Sequence, residues 1–568
     1  MTQISLNTSS IETQRKLRIE KLERLQSLGI DPYPVKSDRD FTLKEVKDNF
    51  ESIKSNQTLE KIIIAGRIKS KRGSGKISFA TLEDESFPDG FQVVLKTEDL
   101  PQSQNPENPE NDLLSADKEL TYKAFRSLIE EGDYIQVSGY LDTTIAGENS
   151  LFATQVILLT KALRPLPDKL EYGNIEARYL DRASDYKMNT VDDDGLSVRD
   201  IVRYKAIHWS IWRDEMKKEG FLEVECPVFE MIPGGAEAKP FTTFYNELDQ
   251  EMYLRLSLEL PLKKLVAGGF ERVFEIGRIF RNEGSSPQHL QEYSQIEWYC
   301  AYTDYVWAAK FCKRVYQRIV QEILGTQTQI AYNGATINWG EWCSQEEAKV
   351  NNWELEGGWP KIPYFEAVRH FSFGKIDTEN KSDAELVDLC KQNDILDVRV
   401  EDGTATLLDK LWKKARVNTT SPFFLTLPPV ALEPLAKRDP KNPELTQRWQ
   451  IVAGGAELGK AFSELNDPID QYDRFVKQQE ARDNGNEEAQ FMDVSYVRAM
   501  EYGMPPMSGF GTSERLISFL LGKHIRECVT FPHIRSEKSN SLEAKKVKIK
   551  YLQDQISRFT SELKDLIK

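Results

Sequence analysis

The sequence predicts an α+β protein in which an all-β barrel precedes a larger domain built on an antiparallel sheet. Two observations carry this. Residues 60–160 hold five runs rich in β-branched residues, KIIIAGRIKS, KISFATLED, FQVVLKTEDL, DYIQVSGYL and FATQVILLT. From about 200 to 535, helical and strand patterns intermingle without the regular alternation of a doubly wound parallel sheet.

The 568 residues exceed one hydrophobic core and make about three or four domain-sized units. We expect an N-terminal helical extension (1–57), the barrel (58–165), a linker with acidic runs (166–199), the larger domain (200–537) and a C-terminal helix (538–568). In the extension, Arg15, Lys16, Arg18, Lys21 and Arg24 lie beside Leu17, Leu22 and Leu25, an amphipathic basic helix ended by Gly29 and the Pro32/Pro34 stretch. Its basic face is either solvated or tracks phosphates. In the barrel, a helical stretch near 117–131 separates the third and fourth strands. Three strands, a helix and two strands is the order of an OB barrel, a fold that often binds single-stranded nucleic acid. The Pro/Asn/Gln-rich segment 101–112 reads as a loop inside it. Residues 340–415 read as an inserted helical unit, because apolar strands resume only at PFFLTLPPV. In the tail, Ile549, Leu552, Ile556, Phe559, Leu563 and Leu566 form an a/d stripe under three heptads long, which suits a helix docked on its own domain better than a free coiled coil.

Forty per cent hydrophobic residues and ten per cent aromatics mark an ordinary globular chain. No apolar run approaches the roughly 20 residues that cross a bilayer, so no membrane partner is expected. MTQISLNTSSIETQRK has no signal-peptide core. The six cysteines are scattered with no CxxC pair, which argues against a disulfide framework or a zinc cluster and fits a reducing cytoplasm. A net charge of -15 argues against general affinity for nucleic acid, although a local basic face can still bind phosphates.

The common nucleotide and hydrolase signatures are absent: there is no GxxxxGK[ST] loop, no GxGxxG between strand and helix, no GxSxG and no HExxH. The informative segment is ERVFEIGRIFRNEGSSPQHLQEYSQIEWYCAY, 271–302. It reads as two antiparallel strands joined by a long loop. Arg281 and Glu283 share one parity, and Glu297 and Tyr299 share a face of the second strand. An Arg, two Glu and a Tyr on one face make poor core; a surface hairpin with ion pairs is the plain alternative.

FRNE at 280–283 resembles motif 2 of the class II aminoacyl-tRNA synthetases, GFLEVECPVF at 220–229 resembles motif 1, and GFGTSERL at 509–516 resembles motif 3. IPGGAEAKPF, LRLSLELPLKKL, SELNDPIDQ and EYGMPPMSGFG, with KLERLQSLGIDPYP and LLTKALRPLPDK further forward, look like the lysyl branch of that class. The resemblance spans residues 15 to about 537. It implies a class II catalytic domain at 200–537 behind an OB-fold anticodon-binding domain, acting in the cytoplasm. The implied reaction activates L-lysine with ATP and transfers it to tRNA(Lys).

That chemistry needs anions held together and growing charge offset, which position and fixed positive charge supply without a protein nucleophile. By resemblance, Arg281 touches the α-phosphate and the lysine carboxylate, and Arg515 holds the γ-phosphate. These are the implied catalytic residues, and arginine suits them because its fork binds oxyanions in bidentate fashion. Glu283 accepts from the adenine amino group, Tyr293 stacks on adenine and His289 lies near the phosphates. Glu259, Glu297, Tyr299 and Glu464 surround the lysine, with Gly235 and Phe462 shaping the pocket. An ammonium buried without a carboxylate partner costs several kcal/mol, and an acidic pocket repels the aspartate that a related branch selects. In the barrel, Arg67, Phe79, Gln92 and Glu148 match anticodon-reading positions; Phe79 as a barrel core residue is the plain alternative. Motif 1 implies a homodimer.

Four departures stand out. A Glu that usually helps bind Mg²⁺ is Gln450, while its partner Glu457 remains. The substrate-contacting Asn is Lys460. A basic residue of the motif 2 loop is Gln288. Motif 3 is about one residue short and reads Glu-Arg for Asp-Arg. We expect Lys460 to take over part of one Mg²⁺ ion's role, with Glu457 orienting it. The competing functions are a non-catalytic tRNA-binding paralogue and a ligase that attaches a lysine-like amino acid to a protein. Retention of Arg281, Glu283 and Arg515 argues against the first, and the barrel against the second.

Overall fold

The computed structural model describes residues 8–56, 61–103, 113–115, 117–166, 175–193, 195–284, 286, 289–330, 334–483 and 489–533, with a few positions beyond. Residues up to Thr190 form one compact unit and Val191–His533 another.

In the first unit, strands β1 (Ile62–Ser74), β2 (Ile77–Glu83), β3 (Phe91–Lys96), β4 (Tyr134–Thr143) and β5 (Asn149–Thr160) close a barrel in the order β1-β2-β3-β5-β4. All neighbours run antiparallel except β3 and β5. Alternation supplies the core: Leu82, Val93, Leu95, Val137 and Leu151 point inward and are wholly buried. The helix expected near 117–131 spans Tyr122–Leu128, capped by the Thr121 hydroxyl.

The extension shares this core. Leu25 of the helix Thr8–Ser27, with Leu43, Val46 and Phe50, joins the barrel's hydrophobic cluster. Two of the helix's cations turn inward. Arg18 donates to the carbonyls of Ala162 and Glu131, each at 3.1 Å, and Lys21 Nζ reaches Glu130 at 2.7 Å. Neither reading of the basic face included this docking role. The expected linker carries two short helices, Ile175–Leu180 and Arg182–Met188. They close on the buried Asp185 carboxylate, which takes Arg178 at 2.9 Å and Arg182 at 2.5 Å.

The second unit contains β6 (Leu222–Glu223), β7 (Phe229–Glu230), β8 (Thr242–Tyr245), β9 (Gln250–Leu254), β10 (Arg272–Phe280), β11 (Glu292–Ala301), β12 (Thr328–Ile330) and β13 (Thr336–Asn338). It continues with β14 (Glu354–Glu356), β15 (Trp359–Pro363), β16 (Phe423–Thr426), β17 (Arg448–Ala453), β18 (Ala456–Ser463) and β19 (Met507–Ser513). Among the described residues, nine of these make one sheet in the order β14-β15-β16-β17-β18-β19-β11-β10-β6. Only β15–β16 and β6–β10 are parallel. Helices Val198–Lys218 and Tyr305–Leu324 contribute to the core of this unit with Trp212, Phe311 and Tyr316, packed against Trp298, Trp449 and Phe510 of the sheet. The polar side chains left on the sheet line a cavity.

The insertion at about 340–415 departs from the expected helical unit. It has the helices Gln345–Val350, Tyr364–Phe371, Asp383–Gln392 and Gly403–Arg416, but β14 and β15 belong to the main sheet. The reason is local: a three-residue and a five-residue strand are too short to show a period, yet Trp359 and Ile362 bury fully once β15 lies beside β16. The expected C-terminal helix at 538–568, and Gln288, fall outside the described residues or nearly so.

Candidate active site

The site is laid out by strand register. Two rows of neighbours cross the sheet from β17 through β18 and β19 to β11: Gln450–Lys460–Gly511–Glu297 and Arg448–Phe462–Gly509–Tyr299. Because side chains alternate, every member of both rows stands on one face. The glycines keep the middle open. A Cβ on Gly509 would overlap the Tyr299 ring and the Glu464 carboxylate. The cavity above these rows measures about 390 Å³ and is lined by Gly235, Glu259, Arg281, Glu283, His289, Tyr293, Glu297, Tyr299, Gln450, Glu457, Lys460, Phe462, Glu464 and Arg515, so every residue expected at the site outside the barrel is present.

One end is an acidic cup. Glu297 Oε1 accepts from Ser257 Oγ at 2.6 Å and Leu258 N at 3.0 Å, and Tyr299 donates to Oε2 at 3.2 Å. Burial, then the neighbouring Glu259, push its carboxyl up to about 7 against those hydrogen bonds. Glu464 is wholly buried and its Oε1 has no hydrogen-bond donor. Burial raises its carboxyl while Lys263 pulls it back. Gly235 is required where it stands: its φ is +80° and a Cβ would lie 2.8 Å from that of Glu259.

Lys263 was not singled out in the sequence. Its buried ammonium sits 2.6 Å from Glu259 and also pairs with Glu464. The available signal was the four-residue spacing from Glu259, which puts both on one face of the helix Glu259–Ala267. Lys263→Met leaves buried carboxylates without their cation and is expected to destabilise the fold by about 3–5 kcal/mol. Thermal unfolding checks this; an unchanged Tm would mean that Glu259 and Glu464 stand neutral in the folded protein.

The other end is cationic. Arg281 follows β10, its N–H bonded to the Gln291 carbonyl at 2.8 Å. Its guanidinium lies 5.8 Å from the Tyr293 ring centroid, and its buried Nε has no hydrogen-bond partner. Arg515 opens the helix Arg515–Leu520 directly after β19. The preceding Glu514 is wholly buried and paired with Lys205 of the helix Val198–Lys218, which ties the third motif to the helix before the first and gives the Glu-Arg departure a structural place. Partial burial and then Arg515, Lys413, Arg281 and Arg416 hold the His289 imidazole below its usual range, which favours its neutral form.

Glu457 reaches this face through a β-bulge. The register slips between Ile451 and Val452, so Val452 faces Glu457 while Ile451 faces Gly459. Simple alternation from Lys460 would have sent it to the opposite side. Its partners correct the expected arrangement: Glu457 takes Arg416 at 2.5 Å and Trp412 Nε1 at 3.0 Å, not Lys460. Lys460 lies 3.4 Å from Glu433, and Gln450 Oε1 accepts from Arg448 at 2.9 Å. Glu457 and Gln450 therefore do not fit as ligands of a protein-held Mg²⁺. Such an ion wants several free anionic oxygens, and here one carboxylate is engaged by a guanidinium and the other position is a committed amide. Among the described residues, no three Asp, Glu, His or Cys side chains converge as a metal cluster.

On the barrel, Arg67, Phe79 and Gln92 come onto one outer face of β1, β2 and β3, through the pairs Arg67–Glu83 and Thr81–Gln92. Phe79 lies outside the barrel core, half-buried, with the Arg72 guanidinium 5.5 Å from its centroid. Arg67 is committed to Glu83, its Nε at 2.9 Å. Gln92 donates to Ser150 Oγ at 2.9 Å. Glu148 is exposed in the turn before β5 and joins this face only through its carbonyl, 3.1 Å from Ser150 Oγ.

The family described as class II tRNA synthetases (D, K and N) matches residues 181–535, and an OB-fold nucleic acid binding domain matches 62–159. A lysine–tRNA ligase of Carboxydothermus hydrogenoformans is 37% identical over 527 residues, covering 92% of this chain and 97% of its own length. Those of Pelotomaculum thermopropionicum and Thermotoga maritima are 36% and 34% identical over 525 and 535 residues, covering 91% and 93% of this chain and 94% and 97% of theirs.

Proposed function

The chain belongs to the class II aminoacyl-tRNA synthetases and, among them, to the lysine–tRNA ligases, and we propose from that premise how its own residues perform the reaction. The protein is a lysine–tRNA ligase: it activates L-lysine with ATP and passes the lysyl group to tRNA(Lys).

The observation that carries the assignment to lysine is the charge of the cup. With Glu259, Glu297 and Glu464 ionised, three carboxylates face one fixed ammonium, Lys263. Two negative charges are left over, and lysine brings two ammonium groups. Neither aspartate nor asparagine supplies that match.

The lysine carboxylate attacks the α-phosphorus of ATP; a P–O bond forms there as the bond to pyrophosphate breaks. The ribose hydroxyl at the tRNA 3′ end then attacks the lysyl carbonyl and AMP leaves. Arg281 lines the cavity that also holds the acidic cup, and there it holds the lysine carboxylate against the α-phosphate. Its unpartnered Nε supports that role. Arg515 holds the γ-phosphate, Glu283 accepts from the adenine amino group, and Tyr293 stacks on the base. His289, which lines the same cavity, lies near the phosphates and donates a ring N–H to phosphate oxygen. Lys460 and Phe462 border the lysine, and no step passes through a protein-held ion.

The half-buried Phe79 ring supports anticodon reading by base stacking, alongside Gln92. Phe79→Ala is expected to raise the KM for tRNA by about 5–150-fold, corresponding to about 1–3 kcal/mol of stacking. Pyrophosphate exchange stays unchanged, which steady-state charging and exchange assays separate. The homodimer is supported by exposed apolar side chains in and just after the first motif: Leu222, Phe229, Met231 and Ile232, Phe229 at 58% and Met231 at 63%. All six cysteines are unpaired, in keeping with a cytoplasmic setting. No helix among the described residues is long and apolar enough to cross a membrane.

Charging of tRNA with labelled lysine tests the second step. Lysyl-tRNA is the expected product. Activation without any charged tRNA would move the reading to a ligase that passes lysine to a protein.

A further inference from the structure

We infer that Arg416 is a phosphate-binding residue of the active site, bridging Glu457 and the triphosphate in the place where a protein-held divalent ion would otherwise sit.

Four observations lead here. Arg416 closes the insertion's last helix, Gly403–Arg416, and its Nη1 lies 2.5 Å from Glu457, a residue that lines the cavity. The guanidinium is held in place: its side chain is 13% exposed, and Trp412 one turn earlier also donates to the same carboxylate oxygen at 3.0 Å. The position one strand over, Gln450, offers no second carboxylate and is engaged by Arg448. Arg515, the expected γ-phosphate ligand, lines the same cavity as the clamped Glu457.

A carboxylate coordinating an ion and a carboxylate clamped by a guanidinium present the same thing to a phosphate: positive charge fixed beside an acid. The guanidinium adds directional donors, because it has five N–H groups and one carboxylate oxygen engages only part of the fork. Arg416 also belongs to a local cluster. Its charge acts on His289 together with those of Arg515, Lys413 and Arg281. The insertion's last helix thus ends in a basic turn whose Arg416 reaches Glu457, a residue of the cavity wall. Divalent ions then reach this end on the nucleotide, not on the protein.

The inference rests on the lysine–tRNA ligase reading, and two measurements on the full chain keep the two apart. The first is Mn²⁺ binding to the protein without nucleotide, read by electron paramagnetic resonance. The wild type is expected to bind no Mn²⁺ at Glu457. A stoichiometric micromolar site lost in Glu457→Gln would overturn the inference. The second is ATP affinity in EDTA by calorimetry. Arg416→Gln is expected to weaken ATP at least about tenfold, with lysine affinity within about twofold of wild type as the sign of an intact fold. Arg416→Lys is expected to retain part of the affinity, and supplies the test if the glutamine variant does not fold. The double variant Arg416→Gln/Glu457→Gln stays weak if Arg416 reaches phosphate. Full recovery would show that Arg416 only neutralises Glu457, and the inference would fall. Unaltered ATP binding in Arg416→Gln, with normal lysine-dependent exchange in the wild type, would sink the inference alone. A wild type without that exchange would sink the ligase reading.

Discussion

Arg281→Ala is expected to lower lysine-dependent ATP–pyrophosphate exchange by at least about 10³-fold. Removing one preorganised donor from a developing oxyanion already costs about 10²–10³-fold, and Arg281 serves two anions at once. The geometry explains why no neighbour replaces it. It follows β10 directly and lines the same cavity as Glu297, Glu457 and Arg515. Its ring neighbour Tyr293 and its backbone bond to Gln291 fix its direction. Arg515 is anchored on another element, at the start of its own helix. Arg281→Lys keeps the charge but loses the fork, so it is expected to recover only part of the rate. Single-turnover exchange measures both. A loss below tenfold in Arg281→Ala would remove this residue from the chemical step.

Glu297→Gln is expected to weaken lysine about 10²–10³-fold, which corresponds to about 3–4 kcal/mol, within the cost of removing one partner of a buried ion pair, while ATP affinity stays close to wild type. The same carboxylate makes lysine binding depend on pH. In the free protein Glu297 is raised to about 7, so below that pH it carries a proton. An incoming ammonium favours the ionised form, so binding releases the proton. Affinity for lysine therefore rises with pH up to about 7, by at most about tenfold per unit for one proton released, and levels off above it. Calorimetry in buffers of different ionisation enthalpy counts that proton. Uptake of a proton, a flat profile in the wild type, or a slope undiminished in Glu297→Gln would contradict the account.

How much of this stands in the sequence depends on the element. Glu297 and Tyr299 share a face by plain alternation, and β11 is regular along its length, so parity places them correctly. Arg281 and Glu283 share the cavity too, although they lie just beyond the end of β10 and owe their direction to the loop. Parity fails at Glu457, because the bulge in the β17–β18 pairing adds a residue that no period reveals. Lys263 was visible as a helical partner of Glu259, but its second partner, Glu464, is 201 residues on and comes from β18's end. Arg416 had no local signal at all: only folding brings the insertion's last turn to Glu457. The two strands inside that insertion were hidden for a related reason, since their burial depends on β16. The basic N-terminal helix shows the converse. Its charge pattern was plain, yet Arg18 and Lys21 are engaged by the barrel, which a count of cations cannot tell.

The central claim is that a cup of three carboxylates and one fixed ammonium selects lysine for activation by ATP. ATP–pyrophosphate exchange by the full chain with each of the standard amino acids, one at a time, tests it most directly. The account predicts exchange with lysine, with aspartate and asparagine at background. Exchange with aspartate or asparagine in preference to lysine, or with no amino acid, would contradict it.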